Sequence, residues 1–206
     1  MKITRVDVTH TSEPKAHAVR DAIQVLDRNG NTHVMIHTDE GITGTSSTYF
    51  GRVAASPAIL AHLIEGELAP EIIGLDPFLI RGIRQRLQTL TDYHGTAGLA
   101  TFGIAAIDLA LWDLVGKAVG QPVWRLLGAQ RERMPAYAMV GWLELDLDGL
   151  KAVCANAMDQ GFRGVKMKVG CETLSEDVTR IETVRAAIGP DAPLMVDANQ
   201  ALSVAE

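Results

Sequence analysis

Two lysines one residue apart, in Gly164-Val165-Lys166-Met167-Lys168-Val169-Gly170, are the strongest chemical signal in this 206-residue chain. Side chains alternate along a strand, so Lys166 and Lys168 share a face and Met167 takes the other. Two ammonium groups on one inward face repel each other and sit in a partly dry setting. Both effects lower a lysine pKa and make a neutral amine available as a base. An edge strand carrying two solvated lysines would show the same spacing. The second signal is Leu194-Met195-Val196-Asp197-Ala198-Asn199-Gln200, a hydrophobic strand running into an acid and two amides. At the carboxyl end of a parallel strand, Asp197 is a natural ligand for a hard cation such as Mg²⁺. At a turn it would be a cap. Consecutive parallel strands lie about 5 Å apart, so the two segments together put paired amines beside a metal carboxylate. That combination suits one task. The cation holds a substrate carboxylate, an amine takes the adjacent α-proton, and the enediolate is stabilised electrostatically.

The elements that must carry these residues follow from periodicity. Beyond Pro135 the pattern alternates: strand 136–140, helix 147–160, strand 164–169, helix 176–188, strand 194–196. Asp146 and Ser175 are the expected caps of the two helices, and Gly161 and Gly189-Pro190 their stops. Such alternation implies a parallel sheet with right-handed crossovers. The first three units of a (β/α)₈ barrel and a doubly wound sheet both satisfy it.

Before Arg131 the order is different. Strands are expected over 3–9, 22–26, 32–38 and 42–46, with Asp27-Arg28-Asn29-Gly30 as a hairpin turn. Polar loops are expected over 12–20, which holds His17, and over 48–53, which holds Tyr49 and Phe50. Helices are expected over 57–68 with Ser56 as N-cap, over 77–90 after Asp76, and over 102–119. In the last, Ile104, Ile107, Leu111 and Leu114 form one apolar face, and Asp113 and Lys117 pair four residues apart.

Composition bounds the function class. The net charge of −6 and pI of about 5.5 argue against a nucleic-acid partner. Apolar residues make up 47% of the chain, enough for a sizeable core. The start of the chain lacks the basic stretch and apolar run of a signal peptide. No uninterrupted run of about 18 apolar residues occurs, so no membrane partner is expected. Cys154 and Cys171 have no metal-type spacing and read as reduced thiols of a cytoplasmic protein.

Residues 103–128, GIAAIDLALWDLVGKAVGQPVWRLLG, resemble a signature of the mandelate racemase/muconate lactonizing branch of the enolase superfamily, with Gly103 where that signature usually has Ala. The Lys-x-Lys strand and LMVDANQAL resemble the next two landmarks of that family, in the same order. The resemblance spans nearly the whole chain. It implies an α/β protein with an α+β cap: an enolase-like N-terminal capping domain over residues 1–131, then the first three β/α units of a (β/α)₈ TIM barrel, truncated, over 132–206. It implies that Lys168 is a catalytic base, that Lys166 sits by the substrate carboxylate and lowers the pKa of Lys168, and that Asp197 is the first Mg²⁺ ligand. Asn199 would contact the substrate or hold the site's hydrogen bonds. His17, Tyr49 and Phe50 are candidates for substrate contact from the capping loops. Trp112 and Trp124 read as core, and Asp108 and Asp113 as structural.

The expected partner is a small carboxylate, a sugar acid or hydroxy acid, in a homo-oligomeric enzyme. Acid-sugar dehydratase is the first expectation. A mandelate-type racemase, and then a muconate cycloisomerase or dipeptide epimerase, are the alternatives. A closed barrel takes about 250 residues, whereas about 75 follow Arg131. The two other metal carboxylates and the second base, a His–Asp pair in the mandelate racemase-like branch, are therefore expected beyond Glu206. A chain ending there would be an inactive fragment that keeps its cap for association. A doubly wound binding domain would need a Gly-rich phosphate loop, and none follows Val140 or Val169.

Overall fold

Alternation of buried and exposed residues from Gly30 to Thr38 sets the first sheet: Thr32, Val34, Ile36 and Thr38 face inward. The computed structural model describes residues 1–50, 53–95 and 97–203, apart from the side chains of Tyr49, Phe50 and His94. Strands β1 (Ile3–Arg20), β2 (Val25–Thr38) and β3 (Thr43–Phe50) form a sheet in that order. β2 and β3 pair antiparallel, with Gly30 opposite Phe50 and His37 opposite Thr43.

Two sequence expectations fail here for one reason. The hairpin turn is not Asn29-Gly30, which lies inside β2, and residues 12–20 are strand rather than loop. The turn is Asp21 to Gln24. The Asp21 carboxylate, 4% exposed, accepts the N–H of Ile23 at 2.9 Å and of Gln24 at 3.1 Å. A side chain that bonds its own backbone two residues on makes a turn without glycine. This local bond outcompetes the Asn-Gly propensity.

The chain divides into two compact units. The first is Met1–Lys15 with Arg28–Gln130, and the second is Ala16–Asp27 with Arg131–Glu206. In the first, helices α1 (Ser56–Leu63), α2 (Ile80–Leu90), α3 (Leu99–Ala118) and the single turn α4 (Val123–Leu126) follow the sheet. The expected helix over 57–68 is α1 continued by a π-helical turn, Ile64–Leu68. Its N-cap is Ala55 with no side-chain bond, so Ser56 does not cap it. Asp76 does not cap α2, which starts four residues later; its carboxylate instead accepts the Phe78 N–H at 2.9 Å.

α3 is the spine of this unit. Ile104, Ile107, Leu111 and Leu114 are buried, with Leu60, Ile64, Leu68, Ile83 and Leu87 in the same core. By length and composition α3 could cross a membrane, yet its buried side chains, Ile104, Ile107, Leu111 and Leu114 among them, belong to this core and its other face carries Asp113 and Lys117. It meets β3 very closely: a Cβ at Gly44 would collide with Ala110 O and the Leu114 side chain. Polar ties seal that contact. Ser46 Oγ donates to Ala106 O at 2.6 Å, the Thr45 N–H to Asp113 Oδ2 at 2.7 Å, and Lys117 Nζ to Thr43 O at 2.9 Å. At Gly103 an added Cβ would lie 2.9 Å from Leu68 Cδ1, so the departure from the signature's alanine accompanies a close fit to Leu68. Trp112 packs against the core as expected. Trp124 does not: it is 43% exposed, with the Arg125 guanidinium 5.2 Å from its ring centroid.

The second unit alternates β4 (Ala138–Met139), α5 (Leu147–Asp159), β5 (Val165–Lys168), α6 (Leu174–Ile188) and β6 (Leu194–Asp197). Its three strands are parallel in the order β4-β5-β6. Asp146 caps α5 as expected, accepting the Gly149 N–H at 2.7 Å. The cap of α6 is Thr173 rather than Ser175, in a reciprocal capping box with Glu176. Val165, Met167, Leu150, Cys154 and Val184 are fully buried between sheet and helices.

Candidate active site

Strand register decides which side chains can meet. In the parallel sheet Lys166 stands beside Met139 and Met195, and Lys168 beside Asp197. Met167 is buried on the helix side with Val165, so the two lysines share the opposite face. They converge on one atom: Lys168 Nζ lies 2.9 Å and Lys166 Nζ 3.0 Å from Asp197 Oδ2. Lys168 is 5% exposed and Lys166 half-buried.

At Lys166 the electrostatics depart from the expected depression. Hydrogen bonds from Lys168, from the Asn199 N–H and from Lys166 hold the Asp197 carboxyl far below the usual carboxylate range. Its bond to Asp197 raises the pKa of Lys166, against a smaller opposing effect of burial. Lysines on one face repel each other when nothing stands between them. Here a carboxylate does, and an opposite charge within hydrogen-bond distance outweighs a like charge farther off.

The backbone after β6 is shaped for this arrangement. Asn199 and Gln200 both adopt positive φ, 48° and 64°, which costs a non-glycine residue free energy and clusters at functional sites. The Asn199 N–H donates to Asp197 Oδ1 at 3.0 Å and so fixes the carboxylate plane. Asn199 Oδ1 is buried without a partner. A carboxylate and an unsatisfied amide oxygen two residues apart suit a hard, oxygen-seeking cation. Among the described residues no three His, Cys, Asp or Glu side chains cluster for a metal.

Of the other expected residues, His17 is exposed on β1, and none of the bonds at Lys166, Lys168 or Asp197 involves it. The side chains of Tyr49 and Phe50 lie outside the described residues. Asp113 is structural as expected. Asp108 is partly buried, which raises its pKa, and lines a cavity of about 660 Å³ in the first unit with Arg84 and Leu109. Burial pushes the Cys171 thiol up, and the Asp177 carboxylate adds to that, the reverse of an activated nucleophile.

Sequence reasoning missed Trp142, whose ring centroid is 5.1 Å from Lys168 Nζ. The available signal was its place just after the β4 strand, behind Gly141. That glycine has φ +75°, and a Cβ there would press on Leu150 and Met167 at 2.9 Å.

Residues 3–128 match the family described as mandelate racemase / muconate lactonizing enzyme, N-terminal domain, and residues 149–206 match the enolase C-terminal domain-like family. A 3,6-anhydro-alpha-L-galactonate cycloisomerase of Streptomyces coelicolor is 38% identical over 83% of this chain and 47% of its own length. An L-talarate/galactarate dehydratase of Salmonella typhimurium is 37% identical over 80% of this chain and 41% of its own. Among solved structures, a racemase from Streptomyces coelicolor A3(2) with bound magnesium superposes with a TM-score of 0.93 at 34% identity, covering 98% of this chain and 57% of that one. The chain thus spans about half the length of the relatives it matches. At this similarity its fold is an enolase-type cap followed by the opening strands and helices of a (β/α)₈ barrel.

Proposed function

The chain belongs to the mandelate racemase / muconate lactonizing enzyme family, and from that premise we propose that the protein it forms removes the proton α to the carboxylate of a sugar acid, as an acid-sugar dehydratase. The observation that carries this reading is the meeting of Lys166, Lys168 and Asp197 at one oxygen at the carboxyl end of adjacent parallel strands. Active sites of parallel α/β barrels lie at that end.

Lys168, nearly buried and next to Asp197, is the base. A lysine acts as a base only through its neutral amine, and the amine must lie within hydrogen-bond reach of the proton it takes. Lys166, more exposed, meets the substrate carboxylate. Asn199 holds Asp197 in plane and presents its free Oδ1 inward. Asp197 is one ligand of Mg²⁺, which when bound supplies the positive charge that holds the substrate acid and stabilises its developing negative charge. The resemblance puts the remaining carboxylate ligands and an opposing base on later strands. A dehydratase adds an acid that expels the β-hydroxyl. Racemisation and cycloisomerisation begin with the same proton abstraction, and both kinds of enzyme stand among the relatives.

The test is α-proton exchange. The protein carrying this chain is incubated with aldonic and aldaric acids, Mg²⁺ and D₂O. Deuterium at the α-carbon of the recovered acid, or at C3 of a 2-keto-3-deoxy product, is the expected result, and both are lost in Lys168→Ala. Absence of label from every acid in a broad panel, with Mg²⁺ bound, would remove the reading. A 2-keto-3-deoxy product then separates dehydration from isomerisation.

A further inference from the structure

The loop that follows β4, residues 141–145, is tied to three other segments of the second unit. The Lys168 N–H donates to Gly141 O at 3.0 Å, and the Leu143 N–H to Arg20 O at 2.9 Å. The Arg20 N–H in turn donates to the Glu144 carboxylate at 2.8 Å. The last tie comes from α6, where Arg180 donates Nη1 to Leu145 O at 2.7 Å and Nη2 to Trp142 O at 2.9 Å. Arg180 is 7% exposed and its Nε has no partner. Burying a guanidinium is costly unless its donors are used. Here both terminal nitrogens grip main-chain carbonyls of one short loop, as a fork of fixed geometry can and a lysine cannot.

What that clamp holds in place is Trp142. Its ring lies at 5.1 Å from Lys168 Nζ, inside the range at which the negative face of an indole attracts an ammonium. Lys168 is therefore held from two directions, by Asp197 Oδ2 at 2.9 Å and by the indole. A lysine has four rotatable carbons and loses much conformational freedom when fixed. A base must nevertheless keep its nitrogen within hydrogen-bond reach of the proton it takes. A second contact matters most when the first is lost, as when Asp197 turns to a cation.

We propose that Trp142 is a positioning residue for Lys168. Its indole face, set by the Arg180 clamp, keeps the lysine amine at the mouth of the strands while the substrate acid enters. The role rests on the reading of Lys168 as the base, and two measurements keep the two apart. The first needs no turnover. In the protein carrying this chain, lysines are labelled with ¹³C at the ε-carbon, and the Lys168 signal is identified by its loss in Lys168→Met. Ring shielding moves that signal upfield of the other lysines. It returns to the free-lysine position in Trp142→Leu and stays displaced in Trp142→Phe. A wild-type signal at the free-lysine position, or one that Trp142→Leu leaves unmoved, overturns the proposal.

The second measurement uses any acid that the wild type exchanges. Trp142→Leu lowers kcat about ten- to a hundredfold, the cost of a misplaced base. KM stays within about twofold, because ground-state binding is untouched. Trp142→Phe recovers part of the loss, and Arg180→Lys lowers kcat in the same direction. Equal kcat in Trp142→Leu and wild type overturns the positioning role. A wild type that neither exchanges nor dehydrates any acid overturns Lys168 as the base instead, and the lysine spectrum still decides whether Trp142 holds it.

Discussion

One carboxylate oxygen receives two ammonium groups, and that fact organises the site at the scale of single residues. If Lys168 is the base, Lys168→Ala lowers the rate of α-proton exchange by about 10²- to 10⁴-fold, the usual contribution of a positioned general base. Lys166→Met leaves the base in place and removes the contact to the substrate acid, so KM rises along with any loss in kcat. Steady-state kinetics on the two variants tells them apart. An equal loss of kcat in both, with KM unchanged, would mean that the lysines act as a single unit. The pairing on one face was legible in the sequence, because strand alternation is independent of context. The sign of the Lys166 shift was not. It depends on a carboxylate 31 positions away in the chain (166 to 197) that strand register brings opposite Lys168. Trp142 was missed for a similar reason: its contact with Lys168 joins the loop after β4 to β5, and only its place behind Gly141 hinted at it.

The elements that carry these residues are set by short-range bonds that can be cut one at a time. Thr173 and Asp146 accept the N–H groups of Glu176 and Gly149 at the starts of α6 and α5. Thr173→Ala and Asp146→Ala should each cost about 1 kcal/mol, read as a lower urea midpoint at unchanged slope. The β3–α3 contact contributes a pH dependence to the first unit. Burial alone would push the Asp113 carboxyl up. The Lys117 hydrogen bond, the Thr45 N–H and the Lys117 charge together take it below its ordinary value of 3.8. A carboxyl with a lowered pKa in the folded state contributes stability that is present above its unfolded value and lost as pH falls through the folded one. Stability measured by denaturation should therefore fall below about pH 4, and Asp113→Asn should flatten that part of the profile while lowering stability at neutral pH. The helices and parallel strands were legible from their apolar periods, whereas of the expected caps Asp146 holds and Ser56 and Ser175 do not. The first hairpin was not, since Asn-Gly is a strong local turn signal and Asp21-Ala22-Ile23-Gln24 a faint one. The turn forms where the Asp21 carboxylate finds two N–H donors.

At the scale of the whole molecule, the division of labour between units bears on what 206 residues can do alone. The second unit presents a three-stranded parallel sheet, with Val196 of its β6 edge 53% exposed on the face where Val165 and Met167 are buried. Parallel sheets are stable when both faces are covered, and an open apolar edge invites association. Expressed by itself, this chain should bind a hydrophobic dye and elute from a sizing column as more than one species. Its metal affinity should be correspondingly poor. Mg²⁺ gives up its waters reluctantly and settles where carboxylates and substrate oxygens surround it, whereas the described residues bring it Asp197 alone, already neutralised by two lysines. Calorimetric titration with Mg²⁺ should show no saturation below the millimolar range and no difference between the wild type and Asp197→Asn. A submillimolar site abolished by Asp197→Asn would mean that these residues suffice to hold the cation. The two lysines, 3.0 and 2.9 Å from Asp197 Oδ2, would then have to release it with little cost.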